Sequence, residues 1–191
     1  MSVLLSPIPQ RGWGSCKTAL GMTVKVLQLN CHNAHQAMTE LRLKMIKHSN
    51  IIALVQEPYI NNKKSLANLP KGYVSFPGDK EGRKRSCIIA SKHLNLTEIA
   101  ELCTNTTTVV GGILGTQRVV FCSAYMHYDH EVISQDIKAV LAYCKKNNFG
   151  LIFGADSNAH STLRGPEPKR PCKRGDLLEQ WIIQELSLIH I

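Results

Sequence analysis

Four short polar stretches follow directly on apolar runs. Asn30 closes 23–30, Gln56-Glu57 follow 51–55, Tyr125-Met126 close 118–126 with His127 just after, and Asp156-Ser157-Asn158 come after 149–153. In open α/β sheets, ligands collect at strand ends. A carboxylate placed there is a hard oxygen ligand suited to magnesium. Breaking a phosphodiester takes a metal to offset phosphate charge, a positioned water, and donors to the phosphoryl oxygens. Asn, Glu, Tyr and Asp can fill those offices between them. One strand can end in polar residues by chance, and Asp-x-Asn also suits a simple Asx-turn. Four such ends, with Glu and Asp among them, are harder to assign to chance.

The elements that must carry these residues read as follows. Residues 23–30 alternate apolar side chains at Val24 and Val26 after a β-branched start, which predicts a strand. Residues 33–48 place Ala34, Ala37, Met38, Leu41 and Met45 on one helical stripe. The run 51–55 is short and wholly apolar, as in a strand buried on both faces, and Pro58 ends it. Residues 58–72 read as a loop. Strands are expected at 85–91, 96–103, 107–114 and 118–126, with Gly111-Gly112 marking a bulge or a close approach of backbone. A helix is expected over 130–146, with Asp129 as its cap and Val132, Ile133, Ile137, Val140, Leu141 and Cys144 as its buried stripe. A short buried strand at 149–153, a long loop over 156–174, and a helix opened by Asp176 with Glu179 completing a capping box finish the order. This order predicts an α/β sandwich: two sheets with flanking helices.

With 191 residues the chain has the length of one domain and can bury a core without disulfides. Residues 1–22, with Pro7, Pro9, Gly12, Gly14 and Gly21, lack periodicity and read as a flexible leader. Met1 to Pro9 lack a basic start and a long apolar stretch, so no signal peptide is expected. The partial domain is then 23–186, with a tail at 187–191. Seven cysteines, an odd number without CxxC spacing, read as buried thiols in a reducing, intracellular compartment. The longest apolar runs fall short of about eighteen residues, so no membrane span is expected. The net charge of +9, from 23 Lys and Arg against 14 Asp and Glu, favours a polyanionic partner but equally describes a solvated basic surface.

Taken together, Leu27-Gln28-Leu29-Asn30, Gln56-Glu57-Pro58, Ser123-Ala124-Tyr125 and Ala155-Asp156-Ser157-Asn158-Ala159-His160 resemble the endonuclease/exonuclease/phosphatase superfamily. The chain is most similar to the apurinic-like endonuclease domain of non-LTR retrotransposons of insect-type clades. Arg174-Gly175-Asp176-Leu177-Leu178 resembles the Arg-Gly-x-x-Leu segment those domains carry. The resemblance spans about 23–186. It implies a DNA endonuclease using Mg2+ (or Mn2+), acting in the nucleus beside a reverse transcriptase domain of the same polyprotein. It further implies that Glu57 binds the metal and Asn30 helps hold the metal site, and that Asp156 moves a proton or orients the nucleophile. Asn158 and Tyr125 would contact the scissile phosphate. His127, His160 and Arg174 are candidates for substrate binding, His127 also reading as structural. His32 and His35 read as helix-start residues and not as a zinc pair, for want of a third ligand at suitable spacing. The basic groups Lys80, Arg83, Lys84, Arg85 and Lys169, Arg170, Lys173, Arg174 could track phosphates or simply face solvent.

The chain departs from the family pattern in places. Such domains end with a Ser-Asp-His segment, and nothing after Asp156 matches it; the last histidine, His190, follows Leu-Ser-Leu-Ile. Arg164 stands where a Trp is usual before glycine, and the stretch from Pro166 to Pro171 is longer than usual. The expectation is therefore a truncated domain with weak or no cleavage and poor solubility when expressed alone. The alternatives are a catalytically dead nucleic-acid-binding remnant, and a superfamily phosphatase or phosphodiesterase with another substrate.

Overall fold

The computed structural model of the chain describes residues 23–61, 66, 69–76, 84–159 and 172–185, and the backbone of 13–17. The strands are β1 (Trp13–Lys17), β2 (Thr23–Asn30), β3 (Ile51–Gln56), β4 (Tyr73–Phe76), β5 (Ser86–Ser91), β6 (Thr97–Glu98), β7 (Thr107–Leu114), β8 (Gln117–Tyr125) and β9 (Gly150–Asp156). The helices are α1 (His35–Ile46), α2 (Gln135–Asn147) and α3 (Lys173–Glu185). One sheet has the order β1-β2-β3-β5-β4 and the other β6-β7-β8-β9.

Each sheet is mixed, and each holds one parallel pair with a helical crossover. The pair β2/β3 is joined through α1, and β8/β9 through α2. The remaining pairs are antiparallel. Strands with an apolar residue at every position need cover on both faces, and the packing supplies it in layers. Between the sheets lie Val24, Val26, Ile52, Leu54 and Ile88 from one side and Val110, Val119, Phe121 and Ile152 from the other. Outside the first sheet, Ile51, Ala53, Val55, Cys87 and Ile89 meet Met38, Leu41 and Met45 of α1. Outside the second, Val120, Cys122, Leu151 and Phe153 meet Ile137, Val140, Leu141 and Cys144 of α2 and Leu178 of α3. The two-sheet sandwich with flanking helices is the architecture the element order predicts.

Several expectations need correction. The segment 1–22 is not wholly a leader: β1 within it pairs with β2, Trp13 opposite Leu27 and Lys17 opposite Thr23, on the sheet edge. Strand β4 follows directly on the expected loop of 58–72, in a stretch for which no element is predicted, its four residues too few to show a period. The expected strand at 96–103 is a two-residue β6 followed by a 3-10 turn at Ala100–Leu102. Helix α2 starts at Gln135, not 130; Ser134 caps it by accepting from the Ile137 N–H, while Asp129 faces His127 instead. Helix α3 starts a turn before Asp176, with the Cys172 carbonyl accepting from Gly175 and Asp176. Gly111 and Gly112 make no bulge, since they pair in register with Val120 and Val119. The close approach is real: a Cβ on either would run into Ile99 or Leu96.

The buried cysteines are Cys31, Cys87, Cys122 and Cys144; Cys103 and Cys172 are half-buried, and all six are free thiols. Burial pushes the thiol of Cys31 up to about 12 and those of Cys103 and Cys144 up to about 11. Thiols held neutral in this way are poor nucleophiles. Among the described residues, no helix is long and apolar enough to cross a membrane.

Candidate functional site

Side chains two apart on a strand share a face. The inward series on β2 runs Val24, Val26, Gln28, Asn30, and on β8 it runs Val119, Phe121, Ser123, Tyr125. On β9 it runs Ile152, Gly154, Asp156, and on β3 Ile52, Leu54, Gln56. Every series begins apolar in the gap between the sheets and turns polar toward the same end. The last members, Asn30, Tyr125 and Asp156, therefore emerge together at the rim of the gap.

One layer below them lies a buried polar seam. Gln56 is fully buried; its Nε2 donates to Ser123 Oγ at 2.9 Å and to the Gly154 carbonyl at 3.2 Å. Gln28 Nε2 donates to Gln56 Oε1 at 2.5 Å, and Ser123 Oγ donates to the Val55 carbonyl at 2.9 Å. Beside it, Ser86 Oγ and Thr108 Oγ1 are 2.9 Å apart. Buried amides and hydroxyls are costly unless satisfied. Here their bonds run from one sheet to the other, so satisfying them fixes how the sheets sit under the rim.

At the rim, Asn30 joins both sheets. Its Nδ2 donates to Asp156 Oδ2 at 2.5 Å and lies 3.4 Å from Glu57 Oε2, while its Oδ1 accepts from the His32 N–H at 2.7 Å. Asn30 thus turns its Nδ2 toward the carboxylates and its Oδ1 toward the His32 N–H. Glu57 follows the end of β3 with a φ of +44°, a region that costs a non-glycine residue roughly 1–3 kcal/mol. Its backbone is pinned on both sides: its N–H donates to the Arg85 carbonyl and its carbonyl accepts from the Asn33 N–H, each at 2.8 Å. Its side chain, 13% exposed, takes Arg85 Nη1 on Oε1 at 2.5 Å, and His32 Nδ1 stands 3.6 Å from Oε2.

Tyr125 pairs with Asp156 across β8 and β9, and the Arg85 guanidinium lies over its ring, 4.8 Å from the centroid. Asn158, also at positive φ (+46°), donates through its backbone N–H to Asp156 Oδ1 at 3.3 Å and through Nδ2 to the Met126 carbonyl at 3.0 Å. Asn30, Glu57, Tyr125, Asp156 and Asn158, singled out from sequence, thus form one cluster. His127 stands beside it, edge to face with Tyr125 at 6.2 Å. Arg174 is near but engaged inward. It donates to the carbonyls of Ser157 (3.1 Å), His127 (2.9 Å), Tyr128 (3.3 Å) and His130 (2.7 Å), which departs from the phosphate-tracking expectation. His160, Lys80, Arg83, Arg164, Lys169, Arg170 and the tail lie outside the described residues.

Sequence reasoning missed three contributors. Arg85 read as one of a basic group; its pairing with Glu57 leaves no local signal, although it opens a buried strand as the other site residues close theirs. His32 read only as a helix-start residue. Gln56 read as a strand-end residue, whereas the alternation Ile52, Leu54, Gln56 already placed it on the inner face.

Chemically, the cluster offers two carboxylates flanking one amide nitrogen, a guanidinium and a phenol. Among the described residues no three His, Cys, Asp or Glu are grouped to hold a metal ion. Glu57 Oε2 and the Asp156 carboxylate are hard oxygens of the kind magnesium accepts, one or two at a time, while keeping waters and phosphate oxygens as its other ligands.

Two mixed sheets face to face, helices outside, and an Asn, Glu, Tyr, Asp, Asn cluster at the strand ends define a protein of the endonuclease/exonuclease/phosphatase fold. In particular, the chain is similar to the endonuclease domain of a non-LTR retrotransposon. It is 28% identical to the endonuclease domain of TRAS1, a telomere-specific non-LTR retrotransposon, with a TM-score of 0.65 over 84% of this chain and 70% of that one. It is also 28% identical over 168 residues to a 115 kDa protein of the type-1 retrotransposable element R1DM of Drosophila melanogaster. That match takes in 83% of this chain and 16% of the longer protein, so the chain spans about a sixth of that relative's length. A humanised D. rerio TDP2 shares the fold alone, at 15% identity and a TM-score of 0.50 over 72% of this chain and 63% of that one. No family model matches the chain.

Proposed function

We propose that this chain carries the nuclease site of a retrotransposon protein and hydrolyses a phosphodiester of DNA with Mg2+ or Mn2+. The observation that carries the reading is the Asn30 amide set between Glu57 and Asp156, which draws one carboxylate from each sheet to a single rim. A bound divalent ion would offset phosphate charge and polarise the phosphoryl oxygens. Glu57 has Oε1 taken by Arg85, and would offer that ion its Oε2, which faces Asn30 Nδ2 at 3.4 Å and His32 Nδ1 at 3.6 Å. Asp156, held by Asn30 and by the Asn158 N–H, is placed to orient a water or take its proton. Arg85 and the Tyr125 hydroxyl bring positive charge and a donor to the same rim, where the charge of a phosphorane would develop. The basic excess of +9 assists approach to DNA. In the relatives' context, a reverse transcriptase would be the partner domain.

Plasmid nicking tests the reading. Supercoiled plasmid with magnesium should be nicked slowly by the purified chain, not at all in EDTA, and not by Glu57→Ala. Nicking that survives Glu57→Ala would remove Glu57 from the chemistry.

A further inference from the structure

The loop after β8 carries a ladder of rings that the proposed hydrolysis does not use. His127 is stacked on Tyr128, with centroids 4.8 Å apart and planes at 24°, and lies 5.0 Å from His130. On its inner side His127 meets the edge of Tyr125, whose ring in turn lies under Arg85. A continuous run of π faces and one cation thus leads from Glu57 outward. It ends on Tyr128, which is 66% exposed.

Exposed loop aromatics usually swing freely, but this loop is tied down. Arg174 reaches from α3 and hydrogen-bonds the carbonyls of His127, Tyr128 and His130, and a fourth at Ser157 between Asp156 and Asn158. One guanidinium therefore holds the ladder and the Asp156 loop in a fixed relation. The neighbouring Asp129 carboxylate raises the Tyr128 phenol above its ordinary value. The two exposed carboxylates of the loop face cations: Asp129 lies 3.6 Å from His127 Nδ1 and Glu131 3.3 Å from Lys138 Nζ, with the Arg174 guanidinium on the loop's carbonyls.

We propose that the Tyr128–His127 stack is a docking platform for an unpaired nucleobase of the strand entering the site. A flat π face at the end of a stack, preorganised and exposed, is what base stacking needs, and such stacking tolerates any base. The inference rests on the nuclease reading for the nature of the partner, but it concerns binding and not cleavage.

The test is fluorescence anisotropy of the purified chain with a labelled single-stranded oligothymidylate, in EDTA so that hydrolysis is absent. Tyr128→Ala should bind roughly tenfold more weakly, toward the lower end of what losing one stacked base costs. Tyr128→Trp should restore or tighten binding. Thermal melts of both variants should match the parent, since the ring is mostly exposed. Equal binding by Tyr128→Ala, failure of Tyr128→Trp to rescue, or no binding by the parent chain would overturn the platform. Plasmid nicking reports separately: Tyr128-dependent binding without magnesium-dependent nicking would sink the nuclease reading and leave the platform standing.

Discussion

Asn30 and Asp156, separated by 126 residues of chain and carried on different sheets, meet at 2.5 Å. Everything else at the rim is referred to this contact. The same amide nitrogen faces Glu57, and the Asn30 oxygen is occupied by the His32 N–H. Removing the amide leaves two carboxylates facing each other without a donor between them. Asn30→Ala is therefore expected to cost about 1.5–3 kcal/mol, the range for hydrogen bonds to charged groups. Urea denaturation in EDTA measures it. Added manganese should recover part of the loss, because a cation can replace the missing donor. A variant as stable as the parent in EDTA would show that the contact does not bind the sheets.

Arg85 and Glu57 form the other tie, with side chains 26% and 13% exposed. A pair this sheltered is screened less than a surface pair, yet Arg85 also loses a ring face if it leaves. A double-mutant cycle with Arg85→Met and Glu57→Gln separates the two contributions. The coupling energy is expected to fall within about 0.5–3 kcal/mol. Arg85→Met alone should also tighten manganese binding, read by titration, since one positive charge leaves the carboxylate. Weaker metal binding would mean that Arg85 chiefly orients Glu57.

Much of this site was legible because strand alternation is local. Val24, Val26, Gln28, Asn30 and Val119, Phe121, Ser123, Tyr125 state in sequence which face each residue takes. The stripes of α1 and α2 are legible for the same reason, down to Met38, Leu41, Met45 and Ile137, Val140, Leu141, Cys144. Boundaries were less so. Asp129 and Ser134 are both good caps, and only the tertiary use of Asp129 by His127 decides for Ser134. The left-handed backbone of Asn95, Asn148 and Asn158 suits asparagine, but nothing local marks Glu57 for it. That conformation comes from bonds to Arg85 and Asn33, which lie far along the chain. Arg174 is similar: its residue type says cation, while its role comes from four carbonyls brought to it by folding.

Gly154 lies two residues before Asp156 on β9 and faces Leu54 and Gln28 of the other sheet. A Cβ there would stand 2.8 Å from Leu54 Cδ1 and 3.1 Å from both Leu54 Cβ and Gln28 Cγ. Leu54 Cδ1 can turn aside, but its Cβ is fixed to the backbone of β3. Gly154→Ala must therefore part the sheets slightly or displace Gln28 from Gln56. The expected cost is about 1–3 kcal/mol, as for other overpacked cores. Nicking should fall further than the shift in melting temperature explains, because Asn30 and Asp156 ride on the two strands being parted. Stability lost with nicking unchanged at low temperature would show that the rim tolerates the separation.

The buried thiols set a limit at alkaline pH. Cys31 is pushed from 9.0 up to about 12, and Cys103 and Cys144 up to about 11, desolvation being the first cause for each. Below about pH 8 these thiols are protonated in the folded and unfolded chain alike and contribute almost no pH dependence. Between pH 9 and about 11–12 the unfolded chain loses these protons while the folded chain keeps them. The unfolded state then binds fewer protons, so unfolding becomes easier as pH rises. The urea midpoint should accordingly be insensitive to these thiols from about pH 7 to 8, begin to fall as pH nears 9.0, and fall steadily above it. Cys31→Ala should flatten part of that fall even if it lowers stability at neutral pH through the small cavity it leaves. Rapid labelling of Cys31 by a thiol reagent in the native chain at pH 8, at the rate of an exposed cysteine, would contradict both its burial and the predicted slope.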